Sequence, residues 1–497
     1  MSSLSPHLPL KPGESATGFA LRLGQFHTGK SDLQLLRHLG IDAMALLSGD
    51  QQAVAKLADI ANVDLDRLQD GAIARFTRHR EFRAERWSRS FVRPDGARYC
   101  PKCLLEDGCQ AWDRFARISW RIRPVRLCAE HGVVLAACSE RKWSDRPITF
   151  LNAAGLSDTL KSADMVEVGN YDKWILDRIS GRASEQGDFL SSQTLEQGVR
   201  VCEMLGATLT YGLDVAATRL SEAELAETAA HGFDIARRGN EAVMDALSEI
   251  RALSQSTAGQ AKFRAMYGNF YEWVRSAGGD TEPGPIRDLL RDHILKTTAL
   301  GRGEKVLGHE IIERQMHSAY SLSLATGLHP KRLRKVLVRL GIASADCDDL
   351  DYNLLVFPVG DTEKLCQDIL TAVPLSRLPD QIGCTRTQAE SIYRGGLIRP
   401  ISNPGDGIGR IDFARSEIDR FLKWIEDLPL IAVTGAVDLT RAAKMTSLST
   451  AEILRRAQAG KLAVGRRTAE PGVNAILVPM TEIQEIQVDT RGPPTLA

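Results

Sequence analysis

Apolar residues recur at helical spacing along most of this chain, which predicts a mainly α, multidomain protein. Near the N-terminus Leu33, Leu36 and Leu39 form one short stripe. Between residues 53 and 73, Val54, Leu57, Ala58 and Ile60 mark a helix that Asn62 breaks, and Asp64 is placed to cap a second helix carrying Leu65 and Leu68. Two short helices around a polar turn give a helix-turn-helix outline, one that plain packing also produces. From 155 to 310 the pattern stays helical, with stripes at Val243, Leu247 and Ile250 and at Phe263, Met266, Tyr267, Phe270 and Val274. The Gly/Pro-rich residues 276–286 read as a loop.

The last third repeats itself. Residues 321–342 and 375–398 share a short helix, a glycine turn at Gly327 or Gly383, and a second helix ending fifteen residues later at Ile342 or Ile398. An extended apolar segment and a further helix follow each, LLVFPVGDTEKL in one and RIDFARSEIDRFL in the other. A third copy runs through residues 439–463 and is followed by AILVPMTEIQEI. Three such units predict tandem helix-turn-helix modules, each with a strand or wing. The expected layout is a helix-turn-helix-like part at 1–74, a zinc ribbon of small α+β type at 75–150, a helical middle at 151–310, and modules at 311–370, 371–428 and 429–490.

A length of 497 residues agrees with several domains, about three at roughly 150 residues each. The 63 Lys and Arg balance the 63 Asp and Glu, so any basic surface for a polyanion must be local. With no run of about 20 apolar residues and no basic-then-apolar leader, the expectation is a cytoplasmic, nucleoid-associated protein without a membrane partner. Composition leaves room for a homo-oligomer.

The strongest chemical signal is RYCPKCLLEDG followed by RISWRIRPVRLCAEHG. Cys100 and Cys103 form one knuckle, Cys128 and His131 another, and twenty-four residues lie between Cys103 and Cys128. Three thiolates and an imidazole suit Zn2+, which in structural sites takes four N/S ligands and is thereby saturated. Such a metal holds a fold together; it does not activate water. Cys109 and Cys138 are nearby spare thiols that could replace a ligand. Between the knuckles Arg114, Arg117, Arg121, Arg123 and Arg126 could grip phosphates or line an exposed strand edge.

Basic residues also gather elsewhere. From 75 to 93 seven arginines face two acids, with Phe76, Phe82, Trp87 and Phe91 interleaved, a strip able to follow a phosphate backbone or to anchor as a solvated face. The second helix of the first repeat carries Lys331, Arg332, Arg334, Lys335 and Arg339; the second repeat offers Arg386 and Arg394, and the third Arg455 and Arg456. Of these, Lys331, Arg332, Arg334, Lys335, Arg386, Arg394, Arg455 and Arg456 are the expected DNA contacts. GQFHTGKS at residues 24–31 fits a phosphate-binding loop, but that loop needs a buried strand before it, and Phe19 and Leu23 place a helix face there. Lys30 is therefore read as a loop residue. No nucleophile, base and orienter set is apparent, so no enzyme is expected.

The order Pro12, Glu14, Ser15, a helix with Arg22 and Leu23, then YCPKC, an SWR strand and CAEHG closely resembles the TniQ/TnsD family of transposon target-selection proteins, over about residues 8–138. That resemblance implies zinc ligation by Cys100, Cys103, Cys128 and His131. It implies a helical segment at residues 24–31, no catalysis, and a role in marking duplex DNA and recruiting the transposon's AAA+ ATPase (TnsC/TniB-like). Family members act either by direct DNA binding or as adaptors to an RNA-guided CRISPR complex. Three reader-like modules favour direct binding, because a guide RNA would make them redundant. A zinc-containing transcription regulator built from the same modules is the other alternative.

Overall fold

The computed structural model describes residues 4–30, 33–93, 98–137, 153–182, 188–256, 263–276, 282–344, 346–347, 350–402, 410–468 and 470–491. It is mainly helical, with small sheets. The chain divides into two compact units: residues 1–256, 261–294 and 306–308, and residues 257–260, 295–305 and 309–497. Among the described residues no helix is long and apolar enough to cross a membrane.

The first unit opens with α1 (Ala16–Thr28), α2 (Gln34–His38), α3 (Ala43–Leu47), α4 (Gln51–Ala61) and α5 (Leu65–Gln69). Short polar side chains set where these helices start: Gly18 N–H donates to Ser15 Oγ at 3.0 Å, and Asp42, Asp50 and Asp64 cap α3, α4 and α5 in the same way. Asn62, in the left-handed region at φ 52°, ends α4 at the position where the apolar pattern breaks. The apolar faces meet through Phe19, Leu23, Leu36, Val54, Leu57 and Leu68, all buried.

An antiparallel meander follows, β1 (Ala74–Arg75), β2 (His79–Phe82) and β3 (Glu85–Ser88), with Phe82, Trp87 and Phe91 buried at its base. Strand β4 (Arg98–Tyr99) leads into α6 (Pro101–Asp107) and pairs with β5 (Ala136–Ala137). The strand expected at SWR is instead a 3-10 turn, Ile118–Arg121, flanked by single bridges from Glu14 to Arg117 and from Val92 to Ile122. Ile118, Trp120 and Arg121 are all buried, an inward set that an open strand edge would not give.

The helical middle comprises α7 (Ala153–Lys161), α8 (Asn170–Ser180), α9 (Asp188–Ser191), α10 (Leu195–Tyr211), α11 (Glu222–Ala236), α12 (Asn240–Ala252), α13 (Phe263–Ser276) and α14 (Ile286–Thr297). Helices α10 and α11 touch backbone to backbone: a Cβ on Gly206 would strike the Thr228 carbonyl, and one on Gly232 the Cys202 carbonyl. Val243, Leu247 and Ile250 of α12 and Met266, Tyr267, Phe270 and Val274 of α13 are buried, as their spacing predicts.

After the two-residue strands β6 (Lys305–Val306) and β7 (His309–Glu310), the second unit carries the three repeats. The first is β8 (Met316–Ser318), α15 (Ala319–Thr326), α16 (Pro330–Arg339), β9 (Val356–Pro358) and α17 (Val359–Leu370). The second is β10 (Val373–Pro374), α18 (Leu378–Ile382), α19 (Arg386–Arg394), β11 (Pro400–Ser402), β12 (Asp412–Phe413) and α20 (Arg415–Glu426). The third is β13 (Ala436–Asp438), α21 (Leu439–Thr446), α22 (Thr450–Gln458), β14 (Gly465–Arg466), β15 (Ile476–Pro479) and α23 (Met480–Arg491). In the second and third the strands form the same antiparallel sheet, with the last strand in the middle.

The turn between the first two helices needs one left-handed residue in each repeat. Gly327 (φ 70°) and Gly383 (φ 62°) supply it in two of them, and Ser447 (φ 56°) in the third. The Thr just before it closes the helix identically in the first and third: Thr326 Oγ1 donates to Leu322 O at 2.7 Å and Thr446 Oγ1 to Ala442 O at 2.8 Å. The second and third repeats share one core, in which Leu378, Ile392 and Phe421 pack with Leu439, Leu454 and Ile483. The first has its own, around Leu322, Leu333, Leu337 and Phe357, with Ile401 and Ala414 of the second repeat joining it.

Candidate metal centre

The pairing of β4 with β5 closes the loop that carries both knuckles. Cys100 is the N-cap of α6, with Pro101 in the first helical position, where a missing N–H costs nothing. Cys103 N–H points at Cys100 Sγ at 3.5 Å, and the positive end of α6 favours a thiolate there. The second knuckle is a tight turn in which Gly132 N–H donates to Cys128 O and Cys128 N–H to Val133 O, both at 2.8 Å. Gly132 occupies φ 62°, and a Cβ there would run into the Val166 carbonyl at 2.8 Å.

One ligand atom from each of Cys100, Cys103, Cys128 and His131 lies within 4.8 Å of all the others. His131 Nδ1 stands 3.6, 3.3 and 3.5 Å from the sulfurs of Cys100, Cys103 and Cys128, and Cys103 Sγ stands 3.5 Å from Cys128 Sγ. The three sulfurs are buried and His131 is half-buried. On the far side of the ring His131 Nε2 meets Glu106 Oε2 at 2.9 Å, which fixes the ring with Nδ1 facing the sulfurs. Hydrogen bonds with Cys103 and Cys128 push the Cys100 thiol down to about 3, against its burial. The same bonds, with Cys100 and Cys128, raise Cys103, and burial adds to the rise. Packed this closely, the thiols compete with one another for protons. A divalent ion would remove that conflict, and the donor set is chemically suited to one. Cys109 is exposed and outside the cluster; Cys138 lies outside the described residues.

The motif upstream is a buried ion pair. Arg22 donates through Nε and Nη2 to the two oxygens of Glu14, both at 2.7 Å, and its remaining donors reach Trp112 O and Pro9 O. Both side chains are buried. The Arg22 bond to Trp112 O ties the N-terminal helices to the ribbon, and no spacing rule in the sequence announces the pair.

Most arginines of the two basic stretches are engaged. Arg117 is paired with Asp107 at 3.0 Å and lies over Phe115 and Trp120, and Arg114 and Arg121 are buried. Arg83 pairs with Asp70 at 3.1 Å; Arg93 contacts Glu222 at 3.4 Å, and burial together with the nearby Arg98 pushes it down to about 10. Arg78, Arg86 and Arg89 are exposed, Arg89 donating to Thr77 O at 3.5 Å, and Phe76 stacks on His79 with centroids 4.6 Å apart.

In the repeats, the expected DNA contacts divide. Arg334 is buried over the Tyr352 ring at 4.1 Å and donates to Leu350 O, and Arg332 pairs with Asp412 at 2.9 Å and reaches Ser402. Lys331, Lys335, Arg386, Arg394 and Arg455 are exposed, and Arg456 is half-buried. Arg386 and Arg394 flank Glu390, and Arg455 and Arg456 flank Glu452.

Residues 24–28 belong to α1, and Gly29 (φ 70°) is its C-cap, with Thr28 Oγ1 donating to Gly24 O at 2.7 Å. This is a helix end, whereas a phosphate loop precedes a helix. Ser31 lies outside the described residues.

Helices capped onto a Cys3His knuckle pair define a small module with a candidate metal site. Residues 5–135 match the TniQ family model, so this N-terminal part of the chain is similar to TniQ domains. No curated protein matches the chain.

Proposed function

We propose that this chain is a non-catalytic, zinc-containing selector of transposition targets that binds insertion-site DNA directly and recruits the transposon's AAA+ ATPase. The observation that carries the reading is the joining, in one polypeptide, of a TniQ-like domain to three repeats of helix, left-handed turn, helix, strand and helix. Zinc suits the knuckles: Zn–S near 2.3 Å and Zn–N near 2.0–2.1 Å in a tetrahedron separate the ligand atoms by roughly 3.5–3.8 Å, close to the spacings present. Such an ion would hold the ribbon closed, and with four protein ligands it would leave no position for substrate.

Within the repeats Lys331, Lys335, Arg386, Arg394, Arg455 and Arg456 are the side chains offered to phosphates and base edges, while Arg332 and Arg334 support the scaffold that presents them. Footprinting of the purified protein on candidate attachment-site DNA tests the reading. Protection, and retention of the ATPase on that DNA only when this protein is present, are expected. Absence of duplex binding at low salt overturns it.

A further inference from the structure

The second and third repeats meet around a recess of about 470 Å³ that the exposed reader helices do not account for. Gln388 of α19, Thr440, Arg441 and Lys444 of α21, and Arg467 and Asn474 beyond β14 line it. Three cations thus converge on one space. The carboxylate at its rim, Asp438, is already engaged, since its side chain accepts the Arg441 N–H at 2.8 Å as the cap of α21. Arg467 gives one nitrogen to Glu470 at 2.7 Å and to Asn474 O at 3.0 Å, and its Nε is buried with no hydrogen-bond partner among the described residues. The side chains of Arg441 and Lys444 are exposed and make no ion pair among the described residues. Gln388 Nε2 donates to Thr440 Oγ1 at 3.2 Å, leaving the hydroxyl proton free to point into the recess.

An open recess with this excess of positive charge, at the start of a helix and lined by neutral donors, suits a tetrahedral oxyanion. In a helix-turn-helix unit the first helix, here α21, is the one that crosses the DNA backbone. We propose that this recess seats a backbone phosphate of the bound duplex, held by Arg441, Lys444 and Arg467. The inference rests on the reading of the chain as a DNA-binding protein. It adds that this recess is itself a contact, with its three cations supplied by the third repeat and Gln388 by the second.

The test compares full-length wild type, Arg441→Gln/Lys444→Gln, and Arg237→Gln/Arg238→Gln, an equal charge change on exposed residues of the helical middle. Each binds a short synthetic duplex of arbitrary sequence across a salt series, because phosphate contacts carry no sequence requirement. The seam variant is expected to flatten the slope of log affinity against log salt by about one unit per lost contact, with an unchanged thermal melt. The middle-domain variant is expected to keep the wild-type slope. A wild-type slope in the seam variant, or equal flattening in both variants, overturns the phosphate seat alone. Failure of wild type to bind any duplex overturns the DNA-binding reading and the seat with it. Calorimetry with inorganic phosphate separates the source: phosphate binding lost in the seam variant while its duplex slope stays intact marks a free-anion site and also overturns the proposal.

Discussion

Gly395 and Ala451 lie so close that a Cβ built on Gly395 would come within 3.0 Å of the Ala451 methyl. Around this point Ala451 N–H donates to Ser391 Oγ and Arg455 Nη2 donates to Gly395 O, both at 3.2 Å. The second helices of two consecutive repeats are thus fastened side by side. Gly395 has ordinary right-handed backbone angles, so its cost of substitution is purely steric. Gly395→Ala should destabilise the second unit by about 1–3 kcal/mol through overpacking, and adding Ala451→Gly should restore most of it. Denaturant melts of the two singles and the double check this; additive losses would rule out the contact.

The metal knuckles make a separate prediction. Elemental analysis should find one bound transition metal per chain, lost in Cys103→Ser and retained in Cys109→Ser, since only the former contributes to the cluster. Glu106→Gln, which keeps the shape but removes the carboxylate behind His131, should weaken metal affinity by about 10–100-fold. Competition with a chromogenic chelator reads the difference.

Breaking the Glu14–Arg22 pair leaves a buried charge with no partner. Arg22→Ala should therefore cost about 3–5 kcal/mol, far more than removal of an exposed pair such as Lys161 with Asp158, which should change stability by about 0–1 kcal/mol. Chemical unfolding monitored by circular dichroism decides between them, and equal costs would contradict the burial argument.

Ser447 holds the left-handed position that glycine fills in the other two repeats. Ser447→Gly should stabilise the third repeat by about 0.5–1 kcal/mol, the relief of backbone strain exceeding the entropy that glycine gives to the unfolded chain. A rise in the melting temperature checks it.

What could be read in advance follows from how far each signal extends along the chain. The knuckles were legible because four ligands of two types sit in two tight local turns, and the caps at Asp64 and Asn62 were legible for the same reason. The repeats were legible through their periodicity, although in the third no glycine marks the turn that Ser447 makes. The fate of Arg334 was not: a basic run on a helix looks like a reader face until Tyr352, far along the chain, is found beneath it. Arg117 and Arg121 were hidden likewise, because sequence gives their charge but not the inward 3-10 turn that carries them. The Glu14–Arg22 pair is local, eight residues apart, but nothing in its spacing marks two charges as buried partners, and the Glu106–His131 contact joins residues twenty-five apart with no local signature.

The shared core of the last two repeats bears on how the chain can be divided. A fragment ending between α20 and β13 would strip Leu439, Leu454 and Ile483 from Leu378, Ile392 and Phe421, exposing two greasy halves to water. Shortened versions prepared for biochemistry should keep the first repeat attached as well, because Ile401 and Ala414 of the second repeat pack into its core and Arg332 pairs with Asp412, which makes residues 316–491 the piece to hold together.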